Sequence, residues 1–132
     1  MTCLFCCLPE GRVLFRNEAA IAVRDAFPVS PGHTLVILLN HIESLFDTSA
    51  EDRAAMFELL IAAKQQLQSE FAPAGYNIGI NDGSAAGQTI RHLHMHLIPR
   101  YAGDCADPRG GVRWIIPEKA EDWTAAERTP TT

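Results

Sequence analysis

Residues 92–98 read His92-Leu-His-Met-His-Leu-Ile98, three histidines alternating with large apolar residues. A run this short and regular is typical of a β-strand, because successive side chains of a strand point to opposite faces. The pattern predicts that the three imidazoles share one face, about 6–7 Å apart from one to the next. The alternate residues then enter the core: Leu93, Met95 and Leu97. A single histidine is usually a solvated polar residue, but three in register favour a reaction or a metal site.

Four further short apolar runs, bounded by Gly, Pro, Asn and Asp, predict strands over residues 13–15, 19–23, 34–39 and 76–80. With residues 93–98 they make five strands. Residues 34–39 are apolar at nearly every position, so we expect this strand to be covered on both faces and to lie centrally, whereas the others alternate.

One amphipathic helix is predicted between the third and fourth strands, because apolar residues recur there at helical spacing: Met56, Leu60, Ala63 and Leu67. Ser49 followed by Asp52 suggests a capping box at its start, and Pro73 with Gly75 marks its end. A short helical turn is expected near residues 42–46.

Composition limits the function classes. The 132 residues suit one domain, and 47% hydrophobic residues suffice for a core. The net charge of −5 argues against binding nucleic acid or an anionic membrane surface.

No apolar run approaches the length of a transmembrane helix, and residues 1–8 lack the features of a secretion signal, so we expect a cytoplasmic protein. Cysteines crowded at Cys3, Cys6 and Cys7 indicate free thiols or metal ligands rather than a disulfide framework.

Two other segments carry candidate site residues. The loop over residues 81–89 is rich in small residues that allow backbone N–H groups to approach a phosphate, although by itself it equally fits an ordinary turn. His33 precedes the central strand and His41 follows it. Both are candidates for one or two sites near the triad, and the alternative for each is a capping or surface histidine.

The chain resembles the histidine triad (HIT) family. The resemblance rests on His92-Leu-His-Met-His-Leu-Ile98 and, in the family's order and spacing over roughly residues 3–104, on Cys3-Leu-Phe-Cys6, Asp25, Pro31-Gly-His-Thr-Leu-Val36, Asn81-Asp-Gly83 and Gly87-Gln-Thr89. It implies an α+β fold, with a five-stranded antiparallel sheet, one long helix and a short helix, in which two subunits pair into a continuous sheet. We expect a single HIT domain over residues 1–119 and a flexible tail over residues 120–132.

The resemblance also implies an activity, the hydrolysis of nucleotide conjugates at the α-phosphate. Residues 87–104 look closest to the branch that cleaves dinucleoside polyphosphates such as diadenosine tetraphosphate, while another branch cleaves nucleoside phosphoramidates. His94 matches the nucleophile that forms a covalent nucleotidyl-histidine, with its far nitrogen held by a backbone carbonyl. His96 matches a group that contacts phosphate oxygens or protonates the leaving group, and His33 lines the same pocket.

Other family positions suggest substrate and metal contacts. Asp25 matches an acceptor for the ribose hydroxyls, although an aspartate before Phe27-Pro28 also suits a turn. Phosphate and leaving-group contacts are implied for Asn81, Gln88 and Thr89. A structural zinc site found in some members is implied for Cys3, Cys6, His41 and His92, with no metal needed for the chemistry and buried thiols as the alternative.

Two rival functions remain open from the sequence. The first is metal-dependent hydrolysis, in which His92, His94 and His96 hold a catalytic zinc. The second is a nucleotide- or partner-binding module with little turnover. The expected partners are a small nucleotide substrate and a second copy of the chain, with neither nucleic acid nor membrane.

Overall fold

The computed structural model describes residues 3–124. Contacts divide the chain after Tyr101, and the first unit contains every strand and the one long helix. The second unit, from Ala102 onward, contains 3₁₀ helices over Gly111–Ile115, Pro117–Lys119 and Asp122–Thr124, and it buries Ala120. Of the tail expected over residues 120–132, residues 125–132 lie outside the described part. The boundary expected near residue 119 stays a prediction.

Five strands form one antiparallel sheet, as predicted: β1 (Val13–Arg16), β2 (Ala20–Arg24), β3 (Thr34–Leu38), β4 (Gly75–Gly79) and β5 (His94–Arg100). Their order in the sheet is β1-β2-β3-β5-β4, so β1 and β4 are its outer strands. The bounds agree with the sequence patterns to within about two residues, the usual uncertainty of strand ends.

The central position predicted for β3 is confirmed, because β3 pairs with both β2 and β5 and all five of its residues are buried. The expectation that the other strands alternate is wrong for β2, which buries Ala20–Val23, and for β4, in which three partly buried residues are followed by two exposed ones. The two faces of β2 belong to different clusters. Ala20 and Ala22 pack with the long helix, and Ile21 and Val23 pack beneath Phe5 and Leu8 on the opposite face.

The long helix α1 covers Ala50–Phe71. Ser49 accepts a hydrogen bond from the backbone N–H of Asp52, which forms one half of the predicted capping box; the Asp52 carboxylate accepts from Asn40 instead. All four residues that predicted the helix are buried. The predicted short turn is a 3₁₀ helix over Leu45–Asp47. No helix in the described residues is both long and apolar enough to span a membrane.

His92 lies in a bend just before β5, whereas the sequence pattern placed it in the strand. The reason is a hydrogen bond from the Leu93 backbone N–H to the carbonyl of Ile42, 2.7 Å long, which ties this residue to the segment after β3. The core positions of Leu93, Met95 and Leu97 are as predicted. His94 and His96 share the opposite face of β5.

Gly32 lies in the turn that leads into His33 and β3, and it offers a test of this packing. Its φ is +87°, and an added Cβ would lie 2.7 Å from Leu67 Cδ2 on α1. We expect Gly32→Ala to lower the free energy of unfolding by about 2–4 kcal/mol, because left-handed strain and overpacking add. Urea denaturation measures this change.

The matched control is Gly11→Ala, since Gly11 has no atom within 4 Å of the added Cβ and no positive φ. It should change stability by less than about 0.5 kcal/mol. Equal losses in the two variants would contradict the packing described for the turn.

Candidate active site and metal centre

A cavity of about 260 Å³ lies beside the first residues of β3 and β5. Its polar lining comes from Arg12, Asp25, Asn81, Thr89, His94 and His96, and its apolar lining includes Leu4, Phe5, Leu8, Phe27, Leu35 and Ile90. The cavity therefore has an apolar wall from the N-terminal segment and a polar wall from β5 and the loop before it. This division suits a ligand with an apolar ring and an anionic group.

His94 is oriented by the main chain. Its Nδ1 lies 2.8 Å from the carbonyl oxygen of His92, and a carbonyl can only accept, so Nδ1 carries the proton. The other nitrogen, Nε2, then has a free lone pair. The Phe5 ring meets the His94 ring edge-on, with the centroids 4.8 Å apart. The backbone carbonyl expected from the family resemblance is thus present, and this orientation leaves Nε2 able to act as a nucleophile.

His33 and His96 form a hydrogen-bonded pair. His33 Nε2 lies 2.9 Å from His96 Nδ1, and the carboxylate of Asp25 lies 3.4 Å from His33 Nε2 and 4.0 Å from His96 Nδ1. Burial is the main cause that lowers the pKa of His96 to about 4, helped by His94 and His33 and opposed by Asp25. Burial also lowers the pKa of His33, against Asp25. Both rings are therefore neutral near pH 7.

Asp25 forms the turn considered for it and also lines the cavity. One carboxylate oxygen accepts the backbone N–H of Phe27 at 2.8 Å, which forms the turn. The other oxygen faces His33, and the residue lines the cavity. The turn fixes the carboxylate at the cavity wall.

The loop before β5 places two of its three candidate residues at the cavity. Asn81 and Thr89 line it, whereas the side chain of Gln88 is 7% exposed. The Gln88 amide accepts from the Gly83 N–H and donates to backbone carbonyls of Glu43 and Ile90. In this structure Gln88 therefore braces the loop rather than facing the cavity.

The four residues expected to bind zinc come together beside the cavity. One donor atom from each of Cys3, Cys6, His41 and His92 lies within 4.8 Å of the others. The Sγ to Nδ1 distances are 3.3–3.5 Å. Tetrahedral zinc with the usual bond lengths needs about 3.5 Å between sulfur and nitrogen ligands. The donor set and its spacing fit such an ion.

The position of the proton on His92 also fits metal binding. His92 Nε2 lies 2.5 Å from the carbonyl of Leu38, so it carries the proton and leaves Nδ1 free to bind a metal. The same orientation turns the His92 donor atom toward the thiols. A catalytic zinc shared by His92, His94 and His96 is therefore not what this geometry supports.

A second group of candidate donors consists of Asp25, His33 and His96. A single point lies about 2.0 Å from each of the three donor atoms, which is an ordinary bond length to a metal ion. The distances alone would therefore allow an ion to bind there. However, the backbone N–H of Val29 donates to His33 Nδ1 at 3.1 Å. His33 must then carry its proton on Nε2, the atom that faces the ion position. The group is therefore unsuited to metal binding.

Two participants were missed by the sequence reasoning. Phe5 lies between two metal-binding candidates and forms part of the cavity wall, so its position inside Cys3-x-x-Cys6 was a usable signal. Val29 acts through its backbone N–H, which donates to His33. Because almost every residue has such a group, the sequence gives no signal for this contact.

Comparisons with known proteins identify the family and the fold. A family model described as "HIT domain" matches residues 9–103. A 16.1 kDa HIT-like protein of Mycoplasma pneumoniae is 42% identical over 103 residues, covering 75% of this chain and 72% of the relative. The bis(5'-nucleosyl)-tetraphosphatase (asymmetrical) of Schizosaccharomyces pombe is 34% identical over 100 residues, covering 75% of this chain and 55% of the relative.

Among solved structures, a zinc-bound histidine triad family protein from Mycobacterium smegmatis superimposes with a TM-score of 0.72. It is 34% identical, and the match covers 80% of each chain. The five-stranded antiparallel sheet with one long helix is the fold that these proteins share.

The neutral state of His96 predicts how stability depends on pH. Because the folded pKa of about 4 lies below the ordinary 6.5, the unfolded chain binds more protons between these values. This contribution to stability is complete above about pH 6.5 and is lost as the pH falls toward 4. His96→Gln should therefore show a weaker fall in stability between pH 7 and pH 4, measured by urea denaturation at each pH. Parallel profiles for the variant and the wild type would contradict the assignment.

Proposed function

Because the chain belongs to the HIT domain family, we propose that it is a nucleotide hydrolase that cleaves at an α-phosphate through a covalent nucleotidyl-His94. The single observation that carries the proposal is the main-chain bond between His94 Nδ1 and the His92 carbonyl, 2.8 Å long. In the neutral form of the ring, this bond leaves the lone pair on Nε2, and His94 lines the cavity. A neutral imidazole is a good nucleophile near pH 7.

The cavity lining supports a binding mode for a nucleotide. The apolar wall of Leu4, Phe5 and Leu8 suits the base, and the exposed ring of Phe27 also lines the cavity. In this binding mode the carboxylate of Asp25, which lines the cavity, would accept hydrogen bonds from ribose hydroxyls. Asn81 and Thr89 then lie on the phosphate side, together with His96.

The reaction proceeds in two displacements. His94 Nε2 forms a bond to the α-phosphorus while the bond from phosphorus to the leaving group breaks and that group takes the electron pair. The His92 carbonyl holds the Nδ1 proton and stabilises the positive charge on the ring of the adduct. Water then attacks phosphorus, the electron pair returns to Nε2, and a nucleoside monophosphate and a proton are released.

We propose dinucleoside polyphosphates as substrates, such as diadenosine tetraphosphate. The support is the 34% identity to a bis(5'-nucleosyl)-tetraphosphatase, together with the cavity residues that match the family positions. The alternative is cleavage of nucleoside phosphoramidates, which would begin with the same attack of His94 on phosphorus.

We further propose that Cys3, Cys6, His41 and His92 bind a structural zinc ion, as their donor spacing supports. Such an ion would tie the N-terminal segment to the bend before β5.

Pairing of two copies into one sheet stays a prediction, for which the outer strand β4, with half-exposed Ile78, offers an edge.

The covalent step is tested by intact mass spectrometry after mixing the protein with diadenosine tetraphosphate. We expect the wild type to gain the mass of one adenylyl group, transiently or after acid quench, and His94→Asn to gain none. Turnover should fall by at least about 10⁴-fold in the variant, because the nucleophile is lost. His33→Gln is the control that removes a neighbouring imidazole but retains His94.

The adduct should still form in His33→Gln, although more slowly. Adduct formation in His94→Asn would refute the nucleophile assignment. Binding of the dinucleotide without adduct or product in the wild type would favour the nucleotide-binding module instead.

The zinc proposal is tested by elemental analysis and thermal unfolding. We expect about one zinc per chain, its loss in Cys6→Ser, and a melting temperature lower by at least about 5 °C. Cys7→Ser is the matched control, because Cys7 is outside the four-residue donor group. Chelated protein should still form the adduct, since no reacting group is a metal ligand. Loss of the adduct with full nucleotide binding would instead support a catalytic zinc.

A further inference from the structure

We propose that Cys3 and Cys6 form a reversible thiol-oxidation site, at which a small-molecule disulfide converts the two thiolates into a Cys3–Cys6 disulfide and releases the zinc ion. The inference rests on the proposed zinc site, because the same two sulfur atoms take part in both states. It assigns to the N-terminal segment, residues 3–8, a redox chemistry that the proposed hydrolysis of nucleotides does not use.

The backbone of the N-terminal segment places Cys3 and Cys6 one turn apart. Leu4 has helical dihedral angles, with φ −57° and ψ −41°, and a 3₁₀ helix over Phe5–Cys7 follows it. Residues i and i+3 of such a turn have Cα atoms less than about 7 Å apart, and their side chains point the same way. A disulfide spans about 4.4–6.8 Å between Cα atoms. The two cysteines can therefore be bridged with little movement of the main chain.

The thiols of Cys3 and Cys6 face the same point. Their sulfur atoms lie 3.4 Å and 3.5 Å from His92 Nδ1, and they are within 4.8 Å of each other. In a disulfide the two sulfur atoms are about 2.05 Å apart, so a short side-chain rotation joins them. The arrangement that suits two zinc ligands thus also suits a disulfide between them.

Cys7 is a poorer partner for either thiol. It follows Cys6 directly, and consecutive Cα atoms are about 3.8 Å apart, which is below the usual range for a disulfide. A 3₁₀ helix has three residues per turn, so the Cys7 side chain points about a third of a turn away from those of Cys3 and Cys6. Cys7 also lies outside the four-residue donor group. The pair that the geometry selects is Cys3 with Cys6.

The surface position of Cys6 decides the order of the exchange. Cys6 is exposed and Cys3 is partly buried, so the oxidant meets Cys6 first. The Cys6 thiolate attacks one sulfur atom of the small-molecule disulfide, which forms a mixed disulfide and expels one thiolate. The Cys3 thiolate then attacks the Cys6 sulfur atom and expels the second thiolate. Two protein thiolates are oxidised, and the small-molecule disulfide is reduced to two thiolates.

Zinc binding and the disulfide exclude each other. Zinc takes cysteine ligands as thiolates, and neither sulfur atom of a disulfide has a negative charge to share with a metal. After oxidation His41 and His92 are the two donors that remain of the four. Two imidazoles do not complete the tetrahedral set of a structural zinc site, so the ion is lost to solution.

Oxidation should loosen one wall of the cavity. The N-terminal segment contributes three apolar residues to the cavity lining, and the Phe5 ring meets the His94 ring edge-on. With the ion bound, the segment is tied to His41 and His92; without it, the segment is held by packing of Phe5 and Leu8 against the sheet. The His92 carbonyl still orients His94. Nucleotide binding therefore weakens while the nucleophile is retained.

The exchange is tested by treating the reduced, zinc-loaded protein with oxidised glutathione. We expect about one zinc ion to be released per chain, as measured with a chromogenic chelator. The tryptic peptide of residues 1–12 should become lighter by two hydrogen atoms, and dithiothreitol with zinc should reverse both changes. Retention of zinc while glutathione modifies Cys7 would overturn the inference. Failure of the reduced protein to take up zinc would instead refute the proposed zinc site.

The variant Cys7→Ser identifies the pair. In this variant Cys3 and Cys6 are the two cysteines that residues 1–12 contain, so a disulfide within that peptide must join them. We expect zinc release and the loss of two hydrogen atoms at the wild-type rate. If Cys7→Ser formed no disulfide within the peptide, Cys7 would be one of the partners and the assignment would be wrong.

The effect on the cavity is tested with adenosine 5'-monophosphate by isothermal titration calorimetry. We expect the oxidised protein to bind it at least about fivefold more weakly than the reduced, zinc-bound protein, because ordering the loosened wall costs binding free energy. Amide hydrogen exchange in residues 3–8 should be faster after oxidation. Equal affinity and equal exchange in the two forms would overturn the effect on the cavity. Absence of binding to the reduced, zinc-bound protein would instead count against the proposed function.

Discussion

The site depends on main-chain groups that fix the orientation of its imidazoles. The carbonyl of His92 fixes His94, and the carbonyl of Leu38 fixes His92. The N–H of Val29 fixes His33, which in turn fixes His96. Main-chain atoms in and beside a sheet move little and do not titrate near neutral pH. Each ring is therefore held in one tautomer without a charged partner in direct contact with His94, and this preorganisation is the main contribution that a protein makes to such chemistry.

His92 connects the candidate metal site to the candidate nucleophile. Its side chain contributes a donor atom to the group with the two cysteines, while its carbonyl accepts the His94 proton. Phe5 makes a second connection, because it lies between Cys3 and Cys6 in the chain and meets the His94 ring edge-on. An ion bound there would fix two elements around His94 without touching the substrate. This is the role of a structural metal rather than of a catalytic one.

The charge of the protein explains why neutral donors matter here. The chain has a net charge of −5, and among the described residues that line the cavity Arg12 is the one with a permanently cationic side chain. The proposed anionic substrate would therefore bind to local N–H groups rather than to a basic surface. A neutral His96 donor and the loop before β5 are consistent with such binding.

The sequence by itself determined the sheet, the helix and the shared face of His94 and His96, because these follow from periodicity and from the two-residue repeat of a strand. It also supplied the four metal-binding candidates through their resemblance to a family. Only the tertiary structure decided that His92 leaves the strand, that Gln88 braces its loop, and that Val29 contacts His33. These facts depend on hydrogen bonds in which at least one partner is a backbone group, between segments far apart in the chain or inside turns. Every residue other than proline has both a backbone donor and a backbone acceptor, so the residue types do not show which backbone group is the partner.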